Sequence, residues 1–96
     1  MVVVWSKQAK AELQKAYLYI LLDSVQSAEM VRDNIINLTI DLAKHPQKHS
    51  LDKFKQNNDG TWRAFEIYHY RISYRIMATQ IRVVRLRHTS KSPLSY

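Results

Sequence analysis

The chain has 96 residues, a formal net charge of +7 and no cysteine. This length supports one domain, and the lack of cysteine excludes a disulfide framework, a thiolate metal site and a cysteine nucleophile. No apolar run reaches the ~20 residues that span a bilayer, and the N-terminus lacks the pattern of a secretory signal, so we expect a soluble cytoplasmic protein without a membrane partner.

The positive charge is concentrated in the last third of the sequence. Residues 1–60 carry eight basic and seven acidic side chains, whereas residues 61–96 carry seven basic side chains and a single acidic one, Glu66. A field of one sign on part of a small domain favours a polyanion or an acidic protein as partner. A solvated surface that serves only solubility is the alternative.

The first half of the chain predicts a strand followed by two helices. Val2–Trp5 is β-branched and aromatic, as strands are. Ser6 and Ser24 are each placed to cap a following helix, the first ending near residue 22 and the second near residue 44. The second helix has an apolar stripe that comprises Val25, Ala28, Val31, Ile35, Leu38 and Leu42. The short break between the helices predicts an antiparallel hairpin.

The second half predicts three strands after a polar loop. The strands cover residues 62–68, 70–77 and 81–86, and their short links imply an antiparallel meander, followed by a C-terminal tail over residues 89–96 with Pro93. The order predicts a single two-layer α+β domain, β-α-α-β-β-β, in which the helical hairpin packs on a mainly antiparallel sheet. We expect the other face of the sheet to be left uncovered by this chain, with its arginines pointing into solvent.

Metal and cofactor chemistry is not predicted. His45 and His49 are four positions apart, but Pro46 lies between them and no HExxH pattern is present. The single glycine, Gly60, excludes a glycine-rich nucleotide loop. We therefore expect no metal and no cofactor.

Four segments and their order carry a family resemblance. They are Val3-Val4-Trp5-Ser6 before the first helix, Leu42-Ala43-Lys44-His45-Pro46 after the second, Tyr70-Arg71-Ile72-Ser73-Tyr74-Arg75-Ile76, and Val84-Arg85-Leu86-Arg87-His88. Together they resemble the RelE/ParE superfamily of bacterial type II toxins over nearly the whole chain. The resemblance implies a toxin held inactive by a cognate antitoxin.

Members of this superfamily differ in their targets. RelE-like toxins cleave mRNA in the ribosomal A site, whereas ParE-like toxins poison DNA gyrase. Our first expectation is ribosome-dependent mRNA cleavage without a metal ion. Gyrase poisoning without nuclease activity, or a non-toxic basic module that binds protein or RNA, are the alternatives.

Metal-independent RNA cleavage requires a base for the 2′-hydroxyl, cations for the phosphate and an acid for the leaving oxygen. The resemblance implies three catalytic candidates. Arg71 matches the arginine of the family's Tyr-Arg-x-x-Tyr strand and would contact phosphate, His88 would transfer a proton, and Tyr96 would donate a proton or stack on a base. The alternatives are an Arg71 that pairs with an antitoxin carboxylate, a His88 that only ends a ParE-like strand, and a Tyr96 that packs in the tail.

Further cations complete the expected nucleic-acid contact. Lys53-Phe54-Lys55 resembles a Lys-x-Lys element of some RelE-like toxins, and on an extended segment both lysines would face one way. A solvated loop is the alternative for this pair. The expected nucleic-acid-binding residues are Lys53, Lys55, Arg71, Arg75, Arg85 and Arg87.

Overall fold

The computed structural model describes residues 1–91 and 95–96, so Pro93 of the predicted tail lies outside the described residues. Six elements follow in chain order: β1 (Val2–Trp5), α1 (Lys7–Leu21), α2 (Val25–Asp41), β2 (Trp62–Ile67), β3 (Tyr70–Ile76) and β4 (Gln80–His88). They confirm the predicted β-α-α-β-β-β order and the α+β class. Among the described helices, none has the length and apolar character needed to cross a membrane.

The four strands form one sheet in the order β1-β4-β3-β2. β2, β3 and β4 pair antiparallel as a meander, whereas β1 pairs parallel with β4. Parallel pairing requires a crossover connection, which α1 and α2 contribute to here. The sheet is therefore mainly antiparallel, as predicted.

Both predicted helix caps are present. The Ser6 hydroxyl accepts a hydrogen bond from the Ala9 amide at 3.0 Å, and the Ser24 hydroxyl accepts one from the Ser27 amide at 3.1 Å. The Ser6 amide also donates to the Val83 carbonyl at 2.9 Å, so α1 starts directly beside β4.

The core lies between the helical hairpin and one face of the sheet. Its buried members are Ala9, Ala16, Val31, Ile35, Leu42, Phe65, Tyr70, Ile72, Tyr74, Ile81, Val83 and Leu86. The predicted stripe on α2 is wrong at Val25, which is 58% exposed in the first turn, beside the break between the helices.

One polar residue is buried on α2 that apolar periodicity does not identify. The Thr39 hydroxyl accepts a hydrogen bond from the Trp5 indole at 3.3 Å and donates one to the Ile36 carbonyl at 2.7 Å. A buried hydroxyl is tolerated when its hydrogen bonds are satisfied. The hydrogen bond between Trp5 and Thr39 connects β1 to α2.

The face of the sheet opposite the helices, here called the front face, consists of three cross-strand rows. The first row is Trp62, Arg75 and Arg82; the second is Ala64, Ser73 and Arg85; the third is Glu66, Arg71 and Arg87. Two of the three residues in the middle row have small side chains. The middle row is therefore a depression between two rows of long side chains.

A β-bulge determines which residues of β4 reach the front face. The register between β3 and β4 shifts so that Ser73 pairs with Arg85 and Tyr74 with Val83, leaving Val84 as an extra residue. Without this bulge, strict alternation would place residues 83 and 85 on the same side of the sheet.

Candidate functional site on the front face

The loop before β2 folds back along the outer edge of that strand. The Ala64 amide donates to the Ser50 carbonyl at 3.1 Å, and the Asp52 amide donates to the Trp62 carbonyl at 2.9 Å. This pairing brings Asp52 to the border of the front face, where its side chain has no exposed surface. Sequence reasoning missed Asp52, because an aspartate in a polar loop is ordinarily exposed.

Three donors satisfy the buried carboxylate of Asp52. Its Oδ1 accepts hydrogen bonds from the Phe54 amide at 3.0 Å and from Arg71 Nη2 at 2.9 Å, and its Oδ2 accepts one from the phenol of Tyr96. Burial raises the pKa of Asp52, but the hydrogen bonds from Tyr96, Arg71 and Phe54 outweigh burial and hold this pKa below its ordinary value. Asp52 is therefore ionised at neutral pH.

Arg71 bridges two carboxylates. Besides its bond to Asp52, its Nη1 donates to Glu66 Oε2 at 3.1 Å, and its guanidinium carbon lies 4.8 Å from the centre of the Phe54 ring. The Arg71 side chain is only 18% exposed. The expectation that Arg71 points freely into solvent is wrong, because its charge is already paired within the chain.

Tyr96 covers the middle of the front face. Its amide donates to the Phe54 carbonyl at 3.0 Å, and its own carbonyl accepts from the Gln56 amide. The ring stands edge-on to Trp62 with 5.7 Å between centroids, and the Arg85 guanidinium carbon is 5.0 Å from the Tyr96 ring centre. The expectation that nothing in this chain covers this face is therefore wrong. The small side chains of the middle row leave room for the ring.

The phenol of Tyr96 holds its proton tightly. Burial and the hydrogen bond to ionised Asp52 raise the pKa of Tyr96 to about 12. Two adjacent groups thus have pKa values displaced in opposite directions, a carboxylate kept ionised and a phenol kept protonated. Such divergence is a feature of acid–base sites as well as of structural networks.

The remaining predicted cations lie beside the aromatic rings of Tyr96, Trp62 and Phe54. The Lys55 ammonium lies 4.9 Å from the Trp62 ring centre and 5.6 Å from that of Tyr96, while the Arg75 guanidinium carbon lies 4.8 Å from Trp62. The Lys53 ammonium lies 5.3 Å from the Phe54 ring centre. All six residues predicted to bind nucleic acid therefore lie on the front face or on the loop at its border.

The interior of this cluster is nearly filled. A cavity of about 30 Å³ remains; it is lined by Asp52, Phe54, Arg71, Ser73, Arg85, Arg87 and Tyr96. One buried atom there, Nε of Arg87, has no hydrogen-bond partner within the described part of the chain. A ligand larger than a water molecule must displace the Tyr96 ring to reach the buried Asp52.

His88 lies on the helix side of the sheet, away from Arg71 and Tyr96. It pairs with Tyr70 across the strands, with the two rings edge-on at 5.0 Å, and its Nδ1 lies 2.7 Å from the Ser90 hydroxyl. It lines a cleft of about 480 Å³ between α1 and the end of β4. The structure thus brings two of the three predicted catalytic residues together and not the third. The cause is alternation after the bulge, which turns residues 86 and 88 inwards.

Of the two histidines weighed as a metal pair, His49 packs against an aromatic ring. His49 stacks on Phe65 with 4.4 Å between ring centroids. Burial, followed by the charge of Lys48, lowers the pKa of His49. Within residues 1–91 and 95–96, no three side chains of the metal-binding types gather closely enough to hold an ion.

Comparisons with known proteins give one family and several similar folds. The family model described as "ParE toxin of type II toxin-antitoxin system, parDE" matches residues 3–93. A structure of the chromosomal ParDE system from P. aeruginosa is 18% identical with a TM-score of 0.70, covering 92% of this chain and 95% of that one. The toxin–antitoxin complex RelBE2 from Mycobacterium tuberculosis is 16% identical with a TM-score of 0.64, covering 91% and 95%. No curated protein matches.

Proposed function

Because the chain belongs to the ParE toxin family of type II toxin–antitoxin systems, we propose that it is a growth-inhibiting toxin whose front face cleaves mRNA on the ribosome. Family membership is compatible with either mRNA or gyrase as target, so the proposal depends on the side chains. Its main support is the position of Tyr96, a protonated phenol surrounded by cations on an otherwise polar sheet face.

The cations would stabilise the reacting phosphate. In metal-independent cleavage the 2′-hydroxyl gives up its proton, here to a water molecule, as the 2′-oxygen attacks the adjacent phosphorus, and negative charge builds up on the equatorial oxygens. Arg85 stands beside Tyr96 without a carboxylate partner among the described residues, so its planar fork is available for two phosphate oxygens. Arg71 would contribute a fixed positive charge, since Asp52 and Glu66 hold its guanidinium in place.

Tyr96 would act as the acid. The leaving 5′-oxygen needs a proton as its bond to phosphorus breaks, and the Tyr96 phenol can provide it once its O–H has turned from Asp52 towards that oxygen. The aromatic rings of Trp62 and Phe54 lie close by and offer flat surfaces on which unpaired RNA bases can stack. Cations interleaved with aromatic rings are the composition expected of a single-stranded RNA site.

An antitoxin is the proposed partner, bound in the cytoplasm. The similar ParDE and RelBE2 structures are toxin–antitoxin systems. This chain has a basic face on its sheet and exposes large apolar side chains on its helical hairpin. The exposed apolar side chains are Leu18, Leu22, Val25, Met30 and Ile40. An amphipathic acidic segment that crosses both surfaces would bury the apolar side chains and neutralise the basic face.

Gyrase poisoning is the second candidate function. It is favoured by the position of His88, because the front face then lacks the histidine that was expected to move a proton. It is also favoured by Arg71, whose charge is used within the chain. In this case the front face would bind protein and no bond in RNA would break.

One pair of assays with the purified protein separates the two targets. We expect A-site cleavage in a toeprint on translating ribosomes, and no trapped gyrase–DNA complex in a supercoiling reaction. Arg85→Ala should greatly reduce this cleavage, while Lys10→Ala, which removes the same charge from the exposed side of α1, should not. Trapped gyrase–DNA complexes together with intact mRNA would reverse the assignment.

A further inference from the structure

Asp52 is buried beneath the proposed RNA-binding surface and would not itself contact RNA. Its side chain has no exposed surface, and both of its oxygens already accept hydrogen bonds. Since this carboxylate is buried and already accepts the phenol hydrogen bond, a substrate hydroxyl cannot reach it in this arrangement. Asp52 acts on other residues of the protein.

The tail is attached to the rest of the chain at two kinds of contact. Two main-chain hydrogen bonds join Tyr96 to Phe54 and Gln56. The side-chain amide of Gln56 also donates to the Ser95 hydroxyl at 3.0 Å. These bonds fix the backbone at Tyr96, and its ring also contacts Trp62 and Arg85. The hydrogen bond from the phenol to Asp52 is the contact that fixes where the hydroxyl group points.

We propose that Asp52 is a positioning residue, which holds the Tyr96 phenol at the centre of the front face. The inference rests on the proposed function for its consequence in RNA cleavage, although the contact itself exists whatever the target is. Asp52 is coupled to both predicted catalytic residues on this face, since the same carboxylate also orients Arg71. One buried group thus arranges a proton donor and a cation.

The competing explanation is that Asp52 only neutralises the buried end of Arg71. In that case, the phenol bond would be incidental, and its removal would leave the tail in place. The two explanations differ in Tyr96→Phe, which removes the phenol bond but keeps the ring and the ion pair. They differ also in the double variant, because a positioning residue has no further effect on Tyr96 once the phenol is absent.

Hydrogen exchange at the backbone amide of Gln56 reports whether Tyr96 stays attached, because this amide donates to the Tyr96 carbonyl. We expect Asp52→Ala and Tyr96→Phe each to accelerate hydrogen exchange at this amide by about ten- to a hundredfold, as for a bond to a charged acceptor. The double variant should exchange no faster than the single ones. Asp33→Asn, which removes a charge from exposed α2, is the control and should leave this amide unchanged.

Activity provides the second measurement. If Asp52 acts through Tyr96, Asp52→Ala should reduce ribosomal cleavage more in the wild-type background than in the Tyr96→Phe background, where only its effect through Arg71 remains. If Asp52→Ala does not fold, the exchange rate of the Gln56 backbone amide in Tyr96→Phe and in Asp52→Asn distinguishes the two explanations. Unchanged Gln56 exchange in Tyr96→Phe, or additive losses in the double variant, would overturn the inference. A wild type that cleaves no RNA would refute the proposed function alone, since the exchange results would still test the role of Asp52.

Discussion

Tyr96 donates a hydrogen bond from its phenol to the buried carboxylate of Asp52, which lies 44 positions earlier in the sequence. The bond joins the loop before β2 to the end of the chain, across a sheet to which neither residue belongs. It places a titratable pair at the centre of the basic surface.

Replacing Tyr96 by phenylalanine should separate catalysis from folding. The ring would keep its contacts with Trp62 and Arg85, whereas the proton donor would be lost. Loss of a positioned general acid typically lowers a rate by roughly 10²–10⁴-fold. We expect such a decrease in single-turnover mRNA cleavage on ribosomes, with the thermal melt still cooperative. Full activity of Tyr96→Phe would contradict the role of Tyr96 as the acid.

Removal of Arg71 should destabilise the protein. Asp52 is wholly buried and would lose one of its partners, and stranding a buried charge costs about 3–5 kcal/mol. Denaturant unfolding of Arg71→Ala measures this cost, and Asp52→Asn in the same chain should recover part of it. The matched control is Arg82→Ala, since Arg82 is exposed and its loss should cost no more than about 0.5 kcal/mol. Equal midpoints for the two arginine variants would refute the expectation.

Alkaline pH should weaken the attachment of Tyr96. The pKa of a tyrosine is about 10 in an unfolded chain and that of Tyr96 is raised to about 12 in the fold. Because the folded pKa is the higher one, the stabilisation is complete below about pH 10 and is lost as the pH rises to about 12. The free energy of unfolding, measured across this range, should fall more steeply in the wild type than in Tyr96→Phe. Parallel curves would show that the phenol is not linked to stability.

His88 should be dispensable for activity on the front face. It lies on the helix side of the sheet, where its ring packs against Tyr70. His88→Asn retains a side-chain oxygen that can accept the hydrogen bond now made by the Ser90 amide. We expect growth inhibition and ribosomal cleavage within about twofold of the wild type, because a polar surface substitution remote from a site rarely alters it. A loss of tenfold or more, with the melt unchanged, would assign His88 a functional role.

Much of the fold follows from local patterns in the sequence. A few neighbouring residues determine each of these patterns: the caps at Ser6 and Ser24, the apolar period of α2 and the β-branched runs. Together the patterns predict the order of elements that the structure has. Alternation along β3 also places Arg71 and Arg75 on one face of the sheet, as the structure has them. These features need only interactions of short range.

Tertiary structure decided which of the cations share a face and what they contact. The bulge at residue 84 is one extra residue, yet it determines that the arginines after it face forwards and that His88 faces the helices. The burial of Asp52 depends on a loop returning to β2 and on Tyr96 arriving from the far end of the chain. Contacts of such long range leave no local pattern, because each partner by itself is an ordinary polar residue in a loop or tail. Composition and period therefore predict a basic face, while only the assembled chain pairs Arg71 and covers that face with its own tyrosine.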